Sequence, residues 1–256
     1  MPDKVKRNIC LTIEYDGTNY CGWQVQNHRK SASTRSPSIQ ATIESGLRKI
    51  LQEKVKLIAS GRTDAGVHAL AQVANFHTRS KMPLERIQKA LNSLLSRDIS
   101  VTKINFVPRD FHSRFSAKSK LYRYTILARP HHSAFLKNQV YFMPFPIDVL
   151  LMQKEARALL GRHNFKAFQA TQKKERDPFK TIKRINLVKT ADLLTIDIEA
   201  DGFLYNMVRN IVGTLVEIGR GRRAPGSLKK ILLSKDRKLA GPTAPAQGLA
   251  LIRVSY

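Results

Sequence analysis

Residues 54–77, KVKLIASGRTDAGVHALAQVANFH, hold two apolar runs, 54–60 and 70–77, on either side of a polar loop at 61–69. Each run has the length and the apolar residues of a strand, so the stretch reads as two strands in succession with no helix between them. Upstream, Ile39, Ile43, Leu47, Ile50 and Leu51 recur at helical spacing after Ser36 and Pro37, which read as an N-cap and first-turn pair. Before that helix, residues 9–16 alternate as a strand with Ile9, Leu11, Ile13 and Tyr15 on one face. Downstream, a second helix opens near Pro83 with Leu84, Ile87, Leu91, Leu94 and Leu95 on one face, and residues 100–107 close the set as a strand. The order is β-α-β-β-α-β, the split βαβ arrangement of ferredoxin-like and RRM-like domains.

The second half offers similar parts. Residues 119–128 and 181–200 read as strands, the latter a hairpin turning near Ala191 and Asp192, and residues 147–160 and 204–218 read as helices. Leu204, Met207, Val208, Ile211, Val212 and Leu215 lie on one face of the second of these. A short helix after Ser227 and a strand from Leu249 to Tyr256 complete the chain. The fold class expected is α+β, two ferredoxin-like halves with antiparallel sheets, divided by topology at residues 1–107 and 108–256.

The 256 residues carry 45 Lys and Arg against 19 Asp and Glu, a formal net charge of +26. A hydrophobic fraction of 42% and a charged fraction of 25% are those of a globular chain, so the excess reflects scarce acids and not a disordered tail. The basic residues run from Lys4 to Arg253, with one polar basic loop at residues 27–37 (NHRKSASTRSP). Such a surface gathers polyanions, of which nucleic acids and anionic membranes are the commonest. No stretch approaches the ~18 consecutive apolar residues of a membrane span, and the run from Ile9 to Ile13 meets Glu14 too soon for a signal-peptide core. A cytoplasmic protein is expected. Cys10 and Cys21 cannot make a disulfide framework, neither has a partner at metal-ligand spacing, and the histidines are scattered except for His131 and His132. No metal site is expected.

Three segments could carry chemistry. The first is GRTDAGVH at residues 61–68. Its glycine spacing superficially matches a phosphate-binding P-loop, but Val67 and His68 stand where Lys and Ser or Thr must be. Two readings remain: a tight turn in which Asp64 accepts backbone N–H groups and Arg62 is solvated, or a carboxylate kept ionised beside arginine as a nucleophile or base. The second is Arg114, Phe115 and Ser116 with Lys118, Lys120, Tyr122, Arg123 and Tyr124. Basic and aromatic residues interleave there, as needed to grip a phosphate backbone and stack an unpaired base; an amphipathic strand with its aromatics in the core fits equally. The third is residues 201–210, DGFLYNMVRN, where Arg209 flanks an apolar helix stripe and wants an anionic partner, in a structural ion pair or an active-site clamp. Arg220, Arg222 and Arg223 read as phosphate contacts or as a solvated run.

These residues resemble the tRNA pseudouridine synthase A (TruA) family. The resemblance runs through EYDGTNYCGWQVQ (14–26), SGRTDAGVHALAQV (60–73), RFSAKSKLYRY (114–124), LLGRHNFKAF (159–168), GFLYNMVRNIVG (202–213) and AGPTAPAQGLALIRVSY (240–256). It implies an isomerase, free of cofactor and metal, acting on uridines 38, 39 and 40 of the tRNA anticodon arm. By motif position, Asp64 resembles the catalytic aspartate, Tyr122 the aromatic residue that stacks on the target base, Arg209 the arginine paired with that carboxylate, and Arg62 a second basic residue of the same loop. The family is homodimeric, both subunits contacting one tRNA. The chain departs from the family in its longer loop at 27–37, in Asn75, where histidine is frequent, and in Asn164, where His-Asp-Phe is usual.

Converting uridine to pseudouridine exchanges a C–N for a C–C glycosidic bond with no change of oxidation state. It requires a base taken out of its stack, an ionised carboxylate beside the ribose or base, and a pocket that retains the loosened uracil. The reading is therefore an enzyme of two halves around a basic central cleft, with Asp64, Tyr122 and Arg209 catalytic and Arg62, Tyr122, Arg123, Arg220 and Arg222 holding RNA. The competing class is a non-catalytic basic RNA-binding or ribosome-assembly protein.

Overall fold

The computed structural model of the chain describes residues 7–24, 36–171 and 177–256. The loop read at 27–37 lies outside the described residues except for Ser36 and Pro37. The fold is α+β with largely antiparallel pairing, in two compact units.

The first unit comprises the described residues of Met1–Lys118 and Leu251–Tyr256. Its order is β1 (Arg7–Tyr15), α1 (Ile39–Leu51), β2 (Ile58–Ala59), β3 (His68–Thr78), α2 (Leu84–Leu94) and β4 (Ile99–Val107). The strands lie in the order β4-β1-β3 with β2 also on β3, and β1 is antiparallel to both neighbours. Ile9, Leu11, Ile13 and Tyr15 are all buried, as the alternation requires. The helix α1 begins later than its proline suggests, because the Ser38 side chain caps it by accepting from the Ala41 N–H. It presents Ile39, Ile43, Leu47 and Leu51 to the core. Its neighbour α2 buries Ile87 and Leu91 and leaves Leu94 exposed. The two helices approach closely at Gly46, where a Cβ would come within 2.7 Å of the Leu91 side chain.

The unit runs on past the boundary read from element order, and buried amides are the reason. Asn8 Nδ2 donates to the carbonyls of Pro108 and Phe111, each at 2.9 Å, and Asn75 Oδ1 accepts from the N–H and hydroxyl of Ser113 at 2.9 and 2.8 Å. Strands β1 and β3 thereby hold the segment after β4. The last strand, β10 (Leu249–Ser255), lies beside β3, and its Ser255 carbonyl accepts the Lys118 N–H.

The second unit, Ser119–Ala250, contains β5 (Ser119–Ala128), β6 (Tyr141–Met143), α3 (Val149–Ala156), β7 (Gly161–Asn164), β8 (Phe179–Thr190), β9 (Leu193–Ala200), α4 (Met207–Gly219) and α5 (Ser227–Ser234). Its strand order is β5-β9-β8-β7, with β6 parallel to β5. The hairpin turn is at Ala191, at φ 50°. Helix α4 starts at Met207, after Asn206 in the left-handed region (φ 58°), and is buried along most of its length. Gly213 allows the Pro242 carbonyl onto it, where a Cβ would stand 1.8 Å from that oxygen. The Glu155 carboxylate accepts the N–H groups of Gly226 and Leu228 and caps α5.

Candidate active site

Asp64 sits in the loop between β2 and β3, and the first unit fixes that loop from three sides. The Thr63 carbonyl accepts the Trp23 N–H at 3.0 Å, the Thr63 hydroxyl shares a 2.8 Å hydrogen bond with the buried Tyr15 hydroxyl, and the Asp64 carbonyl accepts the Val67 N–H at 3.2 Å. Gln72 reaches back from β3, donating to the Gly61 carbonyl at 2.9 Å and accepting from the Ser60 hydroxyl at 2.7 Å. Burial pushes the Tyr15 phenol far above its ordinary range, so it stays protonated and able to donate at any working pH.

Two glycines let the chain close on this loop. Gly22, at φ +99°, lies so near that a Cβ would be 2.6 Å from the Thr63 carbonyl oxygen and 3.0 Å from the Asp64 carbonyl carbon. Gly17 is against the other end, where a Cβ would be 2.1 Å from the Val67 oxygen. Residues 22 and 23 are themselves tied to α1, since the Gly22 and Trp23 carbonyls accept the N–H groups of Ile39 and Gln40. The Asp64 backbone is thus hemmed in by the backbone of Gly17 and Gly22 and tied by hydrogen bonds to its neighbours. Asp64 is half-buried and Arg62 is exposed.

In the second unit, Tyr122 and Tyr124 share a face of β5, and both are buried. Tyr122 meets Phe203 edge to face at 5.1 Å. Tyr124 belongs to the core: its hydroxyl donates to the Pro245 carbonyl at 2.7 Å, and its ring lies against the backbone of Gly248. Arg209, in the first turn of α4, donates through Nε to the Ala244 carbonyl at 2.7 Å and through Nη1 to Asn206 Oδ1 at 3.2 Å. Two planar contacts set the direction of its fork. Arg237 and Thr243 both bond the Asn210 side chain, at 3.0 and 2.7 Å, and so anchor the 241–245 segment that receives Arg209.

The chain matches the family described as tRNA pseudouridine synthase over residues 11–116 and 156–256. The chain belongs to that family. Similar proteins include a tRNA pseudouridine synthase A of Thermoanaerobacter sp. (strain X514), 44% identical over 98% of this chain and 100% of the relative. A tRNA pseudouridine synthase A 2 of Clostridium tetani (strain Massachusetts / E88) is also 44% identical, over 98% of this chain and 99% of the relative. Among solved structures, a chain of a Cbf5-Nop10-Gar1 complex is similar at 11% identity and a TM-score of 0.35, covering 98% of this chain and 58% of that one.

The synthase is an isomerase of uridine. Its sequence-predicted residues fall into distinct local settings. Arg123 points away from Tyr122, to the opposite face of β5, and there its Nε and Nη2 grip the Asp197 carboxylate of β9 at 2.7 and 2.8 Å. This is a bidentate pair between cross-strand neighbours. Arg220 ends α4, with its guanidinium 4.3 Å over the Phe145 ring, and Arg222 follows with Glu217 at 3.4 Å. The eleven-residue interval from Arg209 spans ~16 Å of helix, so Arg209 and the Arg220–Arg222 group serve opposite ends of α4. Sequence reasoning missed Tyr15, Gly22, Thr63 and Gln72 as the support of the Asp64 loop; the GWQ motif at 22–24 was the available signal. Among the described residues no group of three His, Cys, Asp or Glu is placed to hold a metal ion, and no helix is long and apolar enough to cross a membrane.

Proposed function

We propose that the enzyme converts uridine to pseudouridine at positions 38, 39 and 40 of the tRNA anticodon arm, with Asp64 as its catalytic carboxylate. The observation that carries this reading is the Asp64 loop, which Trp23, Tyr15, Gln72 and two glycines hold in one conformation. A solvated turn needs no such frame, whereas a carboxylate that must meet a ribose or a uracil ring does.

In the proposed reaction the target nucleotide is turned out of its stack, and Tyr122 stacks on its base. The Asp64 carboxylate acts in its ionised form, by attack on the sugar or the base or by removal of the C2′ proton. By motif position Arg209 is the arginine expected to pair with that carboxylate, and within its own unit its guanidinium is oriented by Asn206 and Ala244. Uracil leaves C1′ through N1, turns, and rejoins through C5; the C5 proton passes to solvent and N1 takes up a proton in its place, so that product and substrate are isomers. Arg62, Arg220 and Arg222 serve the phosphates, and the protein works as a homodimer in the cytoplasm.

The test is release of tritium from tRNA labelled at uracil C5, with pseudouridine mapped by position in the product. The wild type releases tritium with the product confined to positions 38–40, and Asp64→Asn binds tRNA but releases none. Undiminished release from Asp64→Asn would sink the assignment of the carboxylate. Binding without release by the wild type would favour a non-catalytic RNA-binding role.

A further inference from the structure

Phe115 is 75% exposed, in a part of the chain that is otherwise firmly held. Its ring stacks on the His112 ring with centroids 4.3 Å apart and planes 30° from parallel, and the Arg114 guanidinium lies 5.4 Å from its centroid. The backbone beneath is tied by local hydrogen bonds. His112 Nδ1 accepts the N–H groups of Arg114 and Phe115 at 3.2 and 3.3 Å, the Ser116 N–H donates to the His112 carbonyl at 2.9 Å, and the Ser116 hydroxyl accepts the His112 N–H at 3.2 Å. One residue away, Ser113 is fully buried and bonded to Asn75, while its carbonyl accepts the Tyr256 hydroxyl at 2.9 Å. The sheet therefore grips residues 111–113 and presents the flat group of His112, Arg114 and Phe115 to solvent.

A phenylalanine side chain gains ~1.5–3 kcal/mol on burial, so a turn that holds one outside forgoes that gain. Exposure alone does not set Phe115 apart, since Phe135 and Leu150 are more exposed still; what distinguishes it is that its ring is already stacked on His112 with the Arg114 guanidinium beside it. Flat aromatic and guanidinium groups side by side are the chemistry that receives an unpaired nucleobase. The charge around them selects the same class of ligand, since Arg109 and Arg114 are exposed on this segment and the chain carries +26 overall.

We infer that His112, Arg114 and Phe115 form a stacking platform for an unpaired base of the RNA substrate, a contact separate from the target uridine. This rests on the reading of the protein as a tRNA enzyme. It also accounts for the buried Asn75, which fixes the platform through Ser113.

Binding of unmodified tRNA at fixed salt, for Phe115→Ala, Phe115→Leu and Phe115→Trp, tests the inference. Stacking of one base predicts that the alanine variant raises Kd by roughly 5- to 150-fold. Leucine, apolar but not flat, remains impaired, and tryptophan restores binding. The slope of log Kd against log salt stays at the wild-type value in all three, because no phosphate contact is lost. Alanine and leucine variants that bind tRNA as tightly as the wild type would overturn the platform while leaving the tRNA assignment intact. Loss of the dimer in Phe115→Ala, read by sedimentation, would overturn it in favour of a contact with a second copy. A wild type that neither binds tRNA nor forms pseudouridine would instead refute the functional reading beneath it.

Discussion

Gly22→Ala is the substitution that most directly tests whether the Asp64 loop works by being held still. The added methyl would stand 2.6 Å from the Thr63 oxygen, 3.0 Å from the Asp64 carbonyl carbon and 3.1 Å from the Ala65 nitrogen. All three are backbone atoms and cannot rotate aside. Restoring ordinary contact requires the loop to withdraw by roughly 0.5–1 Å. A displacement of that size at a catalytic group costs on the order of 10- to 100-fold in rate. The φ of +99° adds backbone strain of about 1–3 kcal/mol, which lowers the melting temperature by roughly 3–10 °C in a domain of this size. Gly226→Ala is the matched control. It also has positive φ, +81°, but no atom lies within 4 Å of its Cβ position, so it incurs the strain without the displacement. The assay is single-turnover tritium release at saturating enzyme, beside a thermal melt of each variant. The reasoning requires Gly22→Ala to lose both stability and rate and Gly226→Ala to lose stability alone. If both melt lower and both react at the wild-type rate, the fixed position of Asp64 is irrelevant to catalysis and the argument is refuted.

Two further outcomes follow from packing and titration. Arg123→Ala leaves the buried Asp197 carboxylate without its fork and should destabilise the second unit by about 1–3 kcal/mol, the lower end applying because the arginine is 44% exposed. Arg123→Met with Asp197→Leu should recover most of the melting temperature, and a double variant no more stable than the single one would show that the pair is not the cause. Burial raises the Cys10 thiol to about 11 and the phenols of Tyr15, Tyr124 and Tyr256 above their ordinary 10.0. In the unfolded chain these groups lose their protons first, so the stability they lend is complete below pH ~8.5 and is lost progressively as pH rises toward and past 11. Melting temperatures that stay flat from pH 8.5 to 11 would contradict this, as would rapid alkylation of Cys10 in the folded protein at pH 8.

What the sequence disclosed was whatever depends on near neighbours. Alternation placed Ile9, Leu11, Ile13 and Tyr15 correctly because a strand's faces are set by a period of two. It overextended the run at 54–60, of which only Ile58 and Ala59 pair in the sheet. Val55 and Leu57 are buried like strand residues, but the Leu57 N–H goes to the Glu44 carboxylate at 2.8 Å, a partner thirteen residues away that no local pattern reveals. The strands β6 and β7 are short and lack alternation, and so left no trace. At the site, Asp64 was legible as a motif. Its support was not, because the closeness of Gly22 to Thr63 and the bond from Tyr15 to Thr63 join segments more than forty residues apart.

The same structure shows where acids are retained. Of the 19 acids, many have a task that lysine and arginine, lacking any acceptor, could not perform. Asp148, Glu155 and Asp236 accept N–H groups at helix starts, Asp177 and Asp201 accept those of Phe179 and Thr181 at the start of β8, and Glu44 and Glu53 receive those of Leu57 and Arg79. Each of these carboxylates is held by a backbone donor, so its removal would be felt as lost stability. Each also opposes a polyanion, so its presence weakens RNA binding slightly. A surface built to receive RNA can therefore tolerate acids chiefly where the backbone needs an acceptor. The 45 Lys and Arg and the 19 Asp and Glu depart equally from an even split of the charged residues, so +26 records added cations as much as removed acids. The position of Asp64 is set through its own backbone and that of Thr63, by the bonds from Val67, Trp23 and Tyr15.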